Sequence, residues 1–299
     1  MKNKLKLSVV LATRNEAENI ARCLESVKGV ADEVIIFDEY SDDATRDIAE
    51  KFGAKVYLEP HHDIFHITKQ KALEKANGYW ILQLDADEVV TPNLAQEIKK
   101  IVQMTNDEIL QRNINNEKIW KLYKSHQNIV ESRDGKIGTD SMEIVGFFIS
   151  RVNIFLGKPL TYAGVFPDGV IRLVKNGYAK FPQKSVHEQI QLNGGVSWLE
   201  NSLEHYDSPT FKRYLSRANR YTDLTAHQFE KDNIAKGIVS FFYFVFIKPT
   251  TIFFSLFFRH RGFLDGAQGF IWSFFSAMHY PISFSKKNQQ TQKHKGGHS

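Results

Sequence analysis

Three carboxylates in four positions, Asp85, Asp87 and Glu88, follow directly on residues 81–84, which suit a buried strand. A strand that empties into carboxylates at its carboxyl end offers hard oxygen donors where open α/β sheets bind ligands. Side chains at i and i+2 of an extended segment point the same way, so the spacing predicts that Asp85 and Asp87 converge on one divalent cation. Such a cation would in turn hold a diphosphate. A merely solvated acidic turn shows the same spacing, so the rest of the chain has to carry the functional case.

The elements that position these acids are legible from periodicity. Residues 6–12 read as a buried strand, and Thr13-Arg14-Asn15-Glu16 turns into a helix whose apolar Ile20, Cys23, Leu24 and Val27 keep helical spacing. A second strand, 33–37, closes in Asp38-Glu39-Tyr40-Ser41-Asp42-Asp43-Ala44-Thr45 before a helix capped by Gly53. A third strand at 55–58, a helix at about 67–76 and the strand 79–84 complete a βαβαβαβ alternation. This predicts an α/β fold with a mostly parallel sheet and right-handed crossovers. Thr91 is placed as a hydroxyl cap and Pro92 as the first residue of a helix to about Gln103.

Beyond it the pattern fades. Residues 104–142 are polar and read as an insertion over an acceptor cleft, with a possible strand at 119–123. Strands return at 147–155 and 170–174 between the turns Pro167-Asp168-Gly169 and Asn176-Gly177, and a helix-like stretch reaches Leu203-Glu204-His205-Tyr206.

Composition narrows the class. The chain has 299 residues, 42% hydrophobic and 24% charged, enough for one large domain or two modest ones. A single cysteine, Cys23, excludes an intramolecular disulfide and a cysteine-based zinc cluster, and is expected as a buried apolar residue. The opening Met1-Lys2-Asn3-Lys4 shows no secretory pattern, so a cytoplasmic location is expected.

From Pro209 onward there are 13 Lys and Arg against 4 Asp and Glu, and 13 of the 23 phenylalanines fall between Phe241 and Phe284. Long apolar runs beside basic residues point to an anionic membrane surface and away from nucleic acid. Residues 210–231 form a basic amphipathic helix, and Lys248-Pro249 divides the apolar stretch 237–258 into halves, each short of the ~20 residues needed to span a bilayer. In-plane or re-entrant helices on the cytoplasmic face of the inner membrane are therefore expected, making the protein peripheral or monotopic, with a transmembrane span or hairpin and a buried core helix as the alternatives. The boundaries are a catalytic domain over 1–208, a membrane-associating region over 209–285 and a solvated tail over 286–299.

Taken in order, Val9-Val10-Leu11-Ala12-Thr13-Arg14-Asn15-Glu16, then Asp38 with Ser41, Asp43 and Thr45, then Leu84-Asp85-Ala86-Asp87-Glu88, resemble the family 2 glycosyltransferases. Phe166-Pro167-Asp168, Arg172-Leu173, Val186-His187-Glu188 and His205-Tyr206 resemble the branch of lipopolysaccharide-core β-glucosyltransferases. The resemblance implies a GT-A fold and an inverting transfer from a nucleotide sugar, such as UDP-glucose, to a hydroxyl of a lipid-linked glycan. It implies nucleotide-sugar contacts from Thr13, Asn15, Glu16, Asp38, Asp85, Ala86 and Asp87; Lys71, and Lys69 beside it, stand just before the acidic strand, where they would add positive charge at the diphosphate or else line a solvated helix face. Mg²⁺ or Mn²⁺ would sit on Asp87 with Asp85. Glu188 is the expected general base, and Arg172 and His187 are expected near acceptor or phosphate. The second motif departs from the family pattern, since Glu39-Tyr40 stand where small residues are usual.

A Rossmann oxidoreductase is disfavoured because no Gly-x-Gly-x-x-Gly follows the first strand. The rival from another class is a non-catalytic, membrane-bound scaffold that keeps a nucleotide-sugar fold. The retained Asp85, Asp87 and Glu188 argue against it.

Overall fold

A computed structural model describes residues 5–112, 117–182 and 189–296, and the chain divides into two compact units. One comprises Met1–Val152 with Pro167–His205; the other comprises Asn153–Phe166 with Tyr206–Ser299. The short segment 153–166 thus joins the C-terminal unit, a grouping that no local periodicity reveals.

The chain order is β1 (Leu7–Thr13), α1 (Ile20–Ser26), β2 (Glu33–Asp38), α2 (Thr45–Lys51), β3 (Lys55–Leu58), α3 (His66–Lys75), β4 (Trp80–Leu84), β5 (Glu88–Val90), α4 (Pro92–Ile101), α5 (Asn106–Gln111), α6 (Glu117–Asp134), β6 (Ile144–Phe155), β7 (Lys158–Leu160), β8 (Asp168–Lys175), β9 (Ala179–Lys180), β10 (Gln191–Leu192), β11 (Gly195–Trp198), β12 (Leu203–Ser208) and α7 (Phe211–Lys231). Two long helical stretches follow, Ile238–Arg259 and Gly266–Gly296.

In the first unit, β3-β2-β1-β4 are parallel neighbours, as the βα alternation predicts. The sheet continues antiparallel through β8 and β6, and β12 pairs antiparallel with β5. Every residue of β1 and β4 is buried, as befits strands covered on both faces. The pleat divides them: Val9, Leu11, Leu82 and Leu84 join one apolar cluster with α1 and α4, while Val10 and Ile81 join a second.

The second cluster is built around Trp198, whose ring stacks between Tyr123 at 4.5 Å and Phe148 at 4.4 Å. Gly169 makes room for it, since a Cβ there would lie 2.4 Å from the Trp198 ring.

Several expectations are corrected. The strand expected at 119–123 is helical, part of α6, because Tyr123 and Val130 repeat at seven residues and bury together in that second cluster. Within 104–142, Ile109, Tyr123, Val130 and Ile137 are buried in the two apolar clusters. The helix-like stretch to Tyr206 is instead strand β12, held by pairing with β5 through Leu203, Glu204 and His205.

In the second unit, Thr210 caps α7 by accepting from the Arg213 amide, and Phe155 packs on Tyr214 and Trp272. Lys248-Pro249 does not break the helix. Ile238–Arg259 runs unbroken for 22 residues, about 33 Å, long and apolar enough to cross a membrane. A π-helical turn at Tyr243–Ile247 precedes Lys248–Phe254, where Pro249 lies in the first turn; widening the coil there accommodates a residue without an amide hydrogen. Nor does order end at Ser285. The helix continues to Gly296, with Lys286 Nζ bonded to Asn219 and Thr222 of α7.

Candidate active site

The carboxyl ends of β1, β2 and β4 bring the singled-out residues to one edge. Thr13 stands opposite Asp38 in the β1–β2 register, and Leu84 opposite Leu11 in the β1–β4 register, so Asp85 emerges beside the β1 turn. In a parallel sheet this is the ligand-binding edge.

Thr13 and Asp38 are fully buried and bonded to each other, with Thr13 Oγ1 donating to Asp38 Oδ2 at 2.8 Å. Asp38 also accepts from the Ser41 amide at 2.7 Å and the Ser41 hydroxyl at 2.6 Å. These two residues brace the turn from beneath. What faces outward is Asn15, exposed and in a left-handed conformation at φ 55°, its amide donating to Ser41 and its side-chain oxygen accepting from the Asp42 amide. Glu16 accepts from the Asn19 side chain at 2.8 Å. The unusual pair Glu39-Tyr40 separates inward from outward: Glu39 is buried against Thr68 and His61, whereas Tyr40 is exposed at φ 50°.

At the end of β4 the extended geometry expected for Asp85-Ala86-Asp87 gives way to a turn, closed by the Glu88 amide donating to the Asp85 carbonyl at 3.0 Å. Ala86 is buried, and the two aspartates take different partners. Asp85 lies between cations, with Lys69 Nζ 2.5 Å from Oδ1 and Arg172 Nη2 2.5 Å from Oδ2. Burial alone would raise its pKa; Arg172 and then Lys69 overcome that and hold the carboxyl well below the usual range.

Arg172 reaches further, to fully buried Glu88 at 2.6 Å and to the Gln83 side chain. Arg151 Nη1 stands 3.5 Å from Glu88, and Arg151 Nη2 2.8 Å from Asp168. Three carboxylates and three cations alternate through this network, which balances their charges. Beneath it lies Cys23, buried as expected, its thiol 3.6 Å from the Asp85 carbonyl oxygen. Burial first, and then Glu88, Asp87 and Asp85, raise its pKa well above the ordinary value, which disfavours the thiolate.

Asp87 reaches a different partner. Its Oδ2 is 3.6 Å from His205 Nε2, and both side chains are only 13% exposed. A carboxylate and an imidazole at this separation both reach a single divalent ion with bonds of about 2.0–2.2 Å. The pairing of β12 with β5 sets this up, since His205 is registered against Glu88.

The other singled-out residues fall as follows. Lys71 pairs with Glu59, and it is Lys69 that reaches the acidic turn. Arg172 is buried and turned inward, an anchor for Asp85 more than an open contact. His187 and Glu188 lie outside the described residues. Sequence reasoning gave no role to Glu88 or Arg151 and too little to His205. A signal for Lys69 was present, since it shares the buried face of α3 with His66, Ala72 and Leu73.

Along its length the chain is 27% identical to an uncharacterized glycosyltransferase of Rickettsia conorii, over 97% of this chain and 92% of that protein. It is 23% identical to the lipopolysaccharide core biosynthesis glycosyltransferase LpsC of Rhizobium meliloti, over 92% and 91% respectively. Among solved structures, glucosyl-3-phosphoglycerate synthase of Mycobacterium tuberculosis, in complex with Mn²⁺, uridine diphosphate and glucosyl-3-phosphoglycerate, aligns with a TM-score of 0.27 at 25% identity, over 29% of this chain and 36% of that one. The model for glycosyl transferase family 2 matches residues 8–160, which hold β1, β2, β4 and the acidic turn, and the chain therefore belongs to that family, with the α/β fold of the GT-A type that its motifs imply.

Proposed function

We propose that this glycosyltransferase is an inverting enzyme that moves a hexosyl group from a UDP-hexose, such as UDP-glucose, to a hydroxyl of a lipid-linked or lipopolysaccharide-type glycan. The observation that carries the reading is the division of labour in the acidic turn: Asp85 is locked between Lys69 and Arg172, while Asp87 pairs with His205. A turn serving only solvation has no use for a buried, charge-balanced scaffold beneath one aspartate. Likeness to LpsC over most of both chains supports the class of acceptor.

In this reading Asn15, Glu16 and Tyr40 contact the nucleoside on the outward face of the loops that Thr13 and Asp38 brace. Ala86 brings backbone close to the ribose, and Lys69, with Lys71 further out, supplies positive charge toward the diphosphate. Asp87 and His205 hold Mn²⁺ or Mg²⁺; the imidazole favours Mn²⁺, because Mg²⁺ prefers an all-oxygen shell. When bound, the ion neutralises charge on the departing nucleoside diphosphate. Glu188, with His187 beside it, removes the proton from the acceptor hydroxyl. The helix Ile238–Arg259 and the basic residues around it keep the enzyme at the cytoplasmic face of the membrane, beside such acceptors.

Calorimetric titration with UDP-, GDP- and dTDP-sugars, with Mn²⁺ and with chelator, tests the proposal. Metal-dependent binding of one donor is expected, together with loss of transfer but not of donor binding in Glu188→Gln. Failure of the folded protein to bind any of these donors would overturn it.

A further inference from the structure

Within the second unit, α7 and the helices Ile238–Arg259 and Gly266–Gly296 line a half-open cavity of about 770 Å³. This is within the ~300–1,000 Å³ usual for pockets that engulf a small ligand. Its walls are mainly apolar and aromatic: Tyr214, Ala218, Ile252, Trp272 and Phe275, with Leu215 and Ile282 more exposed among its lining. Tyr214 faces both Trp272, at 6.0 Å between ring centres, and Phe275, at 5.9 Å, so rings from two helices form a continuous lining.

The ionisable side chains in this lining have partners close by. Arg217 is ion-paired with Asp207, and His279 Nε2 is 2.9 Å from the Thr225 hydroxyl. Burial, and then Lys286, lowers the His279 pKa, which favours the neutral imidazole. A mainly apolar cavity whose arginine is already ion-paired is poorly suited to a phosphate or a nucleotide. It recognises hydrocarbon.

The source of that hydrocarbon follows from one wall. Ile252 belongs to the helix Ile238–Arg259, whose most apolar window is only 6% buried. Phe246, Phe254 and Phe258 on it remain exposed, so the element needs an apolar medium around it. We propose that the cavity is a binding site for the hydrocarbon chain of a membrane lipid, drawn between α7 and the two long helices from the surrounding bilayer. The proposal rests on the membrane reading of that helix and is independent of the donor site.

The test uses the full chain in phosphatidylglycerol–phosphatidylethanolamine vesicles doped with one of two photoactivatable lipids. One is a phosphatidylglycerol carrying a diazirine in its acyl chain, and the other is a diazirine-bearing polyprenyl phosphate. Labelled peptides are mapped by mass spectrometry. Label is expected on residues 214–222 and 272–282, reduced more than about tenfold by Ala218→Trp, which fills the cavity, and by Leu215→Trp, placed at a more exposed lining position. Vesicle flotation, label on the exposed face of residues 238–259 and donor binding should not change. Preference for the first probe identifies bulk phospholipid as the occupant, and preference for the second identifies a polyprenyl carrier. If Ala218→Trp fails to fold, Leu215→Trp carries the test alone. Lining residues labelled no more than the exposed helix face, with no response to a folded variant, would overturn the proposal; loss of flotation would instead overturn the membrane reading.

Discussion

One nitrogen of Arg172, Nη2, stands 2.5 Å from Asp85 Oδ2 and 2.6 Å from Glu88 Oε1, so a single buried guanidinium fixes both ends of the acidic turn. Its other nitrogens are engaged by Glu88 and Gln83. Arg172→Met would strand two carboxylates in a low-dielectric site, and a stability loss of about 3–5 kcal/mol is expected from denaturant unfolding. Arg172→Lys keeps the charge but loses the fork, and should fall between the two. A methionine variant as stable as the parent would show that these carboxylates find partners elsewhere.

Metal affinity should separate the two aspartates. Asp87→Ala and His205→Ala are each expected to weaken Mn²⁺ binding by more than the roughly 10–100-fold that outer-shell changes cost. Asp85→Asn, which removes a scaffold charge, should lower the melting temperature while affecting Mn²⁺ less. Electron paramagnetic resonance of free and bound Mn²⁺ reads this directly. Equal losses from Asp85 and Asp87 would return Asp85 to the ligand set.

Glu33 supplies a pH signature remote from the site. Burial would raise its pKa, but hydrogen bonds from Ser8, the Asn77 amide and Lys55 lower it to about 2. A carboxyl depressed in the folded state contributes stability that is fully present above its unfolded value, about 4.3, and is lost as pH falls toward 2. Glu33→Gln should therefore cost on the order of 1–3 kcal/mol at pH 7, and the difference from the parent should shrink between about pH 4.5 and 2. Melting curves across that range provide the check, and a difference independent of pH would exclude an ionised Glu33 as the cause.

Membrane attachment should depend on side chains that contribute little to folding. Phe246 and Phe254 are 52% and 55% exposed. The double substitution to Lys is expected to move the protein from the membrane fraction to the supernatant, with an effect on the unfolding of the first unit within about 0.5 kcal/mol. Retention of the double variant in sedimented membranes would place the anchor elsewhere.

Much of this molecule is written locally. The β1-to-β4 alternation, the Thr91 cap, the buried Cys23 and the acidic strand end all follow from periodicity and turn chemistry, because each depends on residues close in sequence. The family motifs are legible for the same reason. What each carboxylate does was decided only in three dimensions. Arg172 is 87 residues from Asp85 along the chain, and the antiparallel pairing of β8 with β4 brings it there. His205 reaches Asp87 because β12 returns to pair with the three-residue strand β5, a contact that no local signal specifies. The reversals have the same origin. Alternating apolar residues do not tell α6 from a strand until Trp198 supplies the surface on which Tyr123 stacks, and Pro249 ends a helix only where the coil does not widen to accommodate it. Short-range sterics and hydrophobic spacing fix which elements form; long-range pairing and charge balance fix which side chains meet.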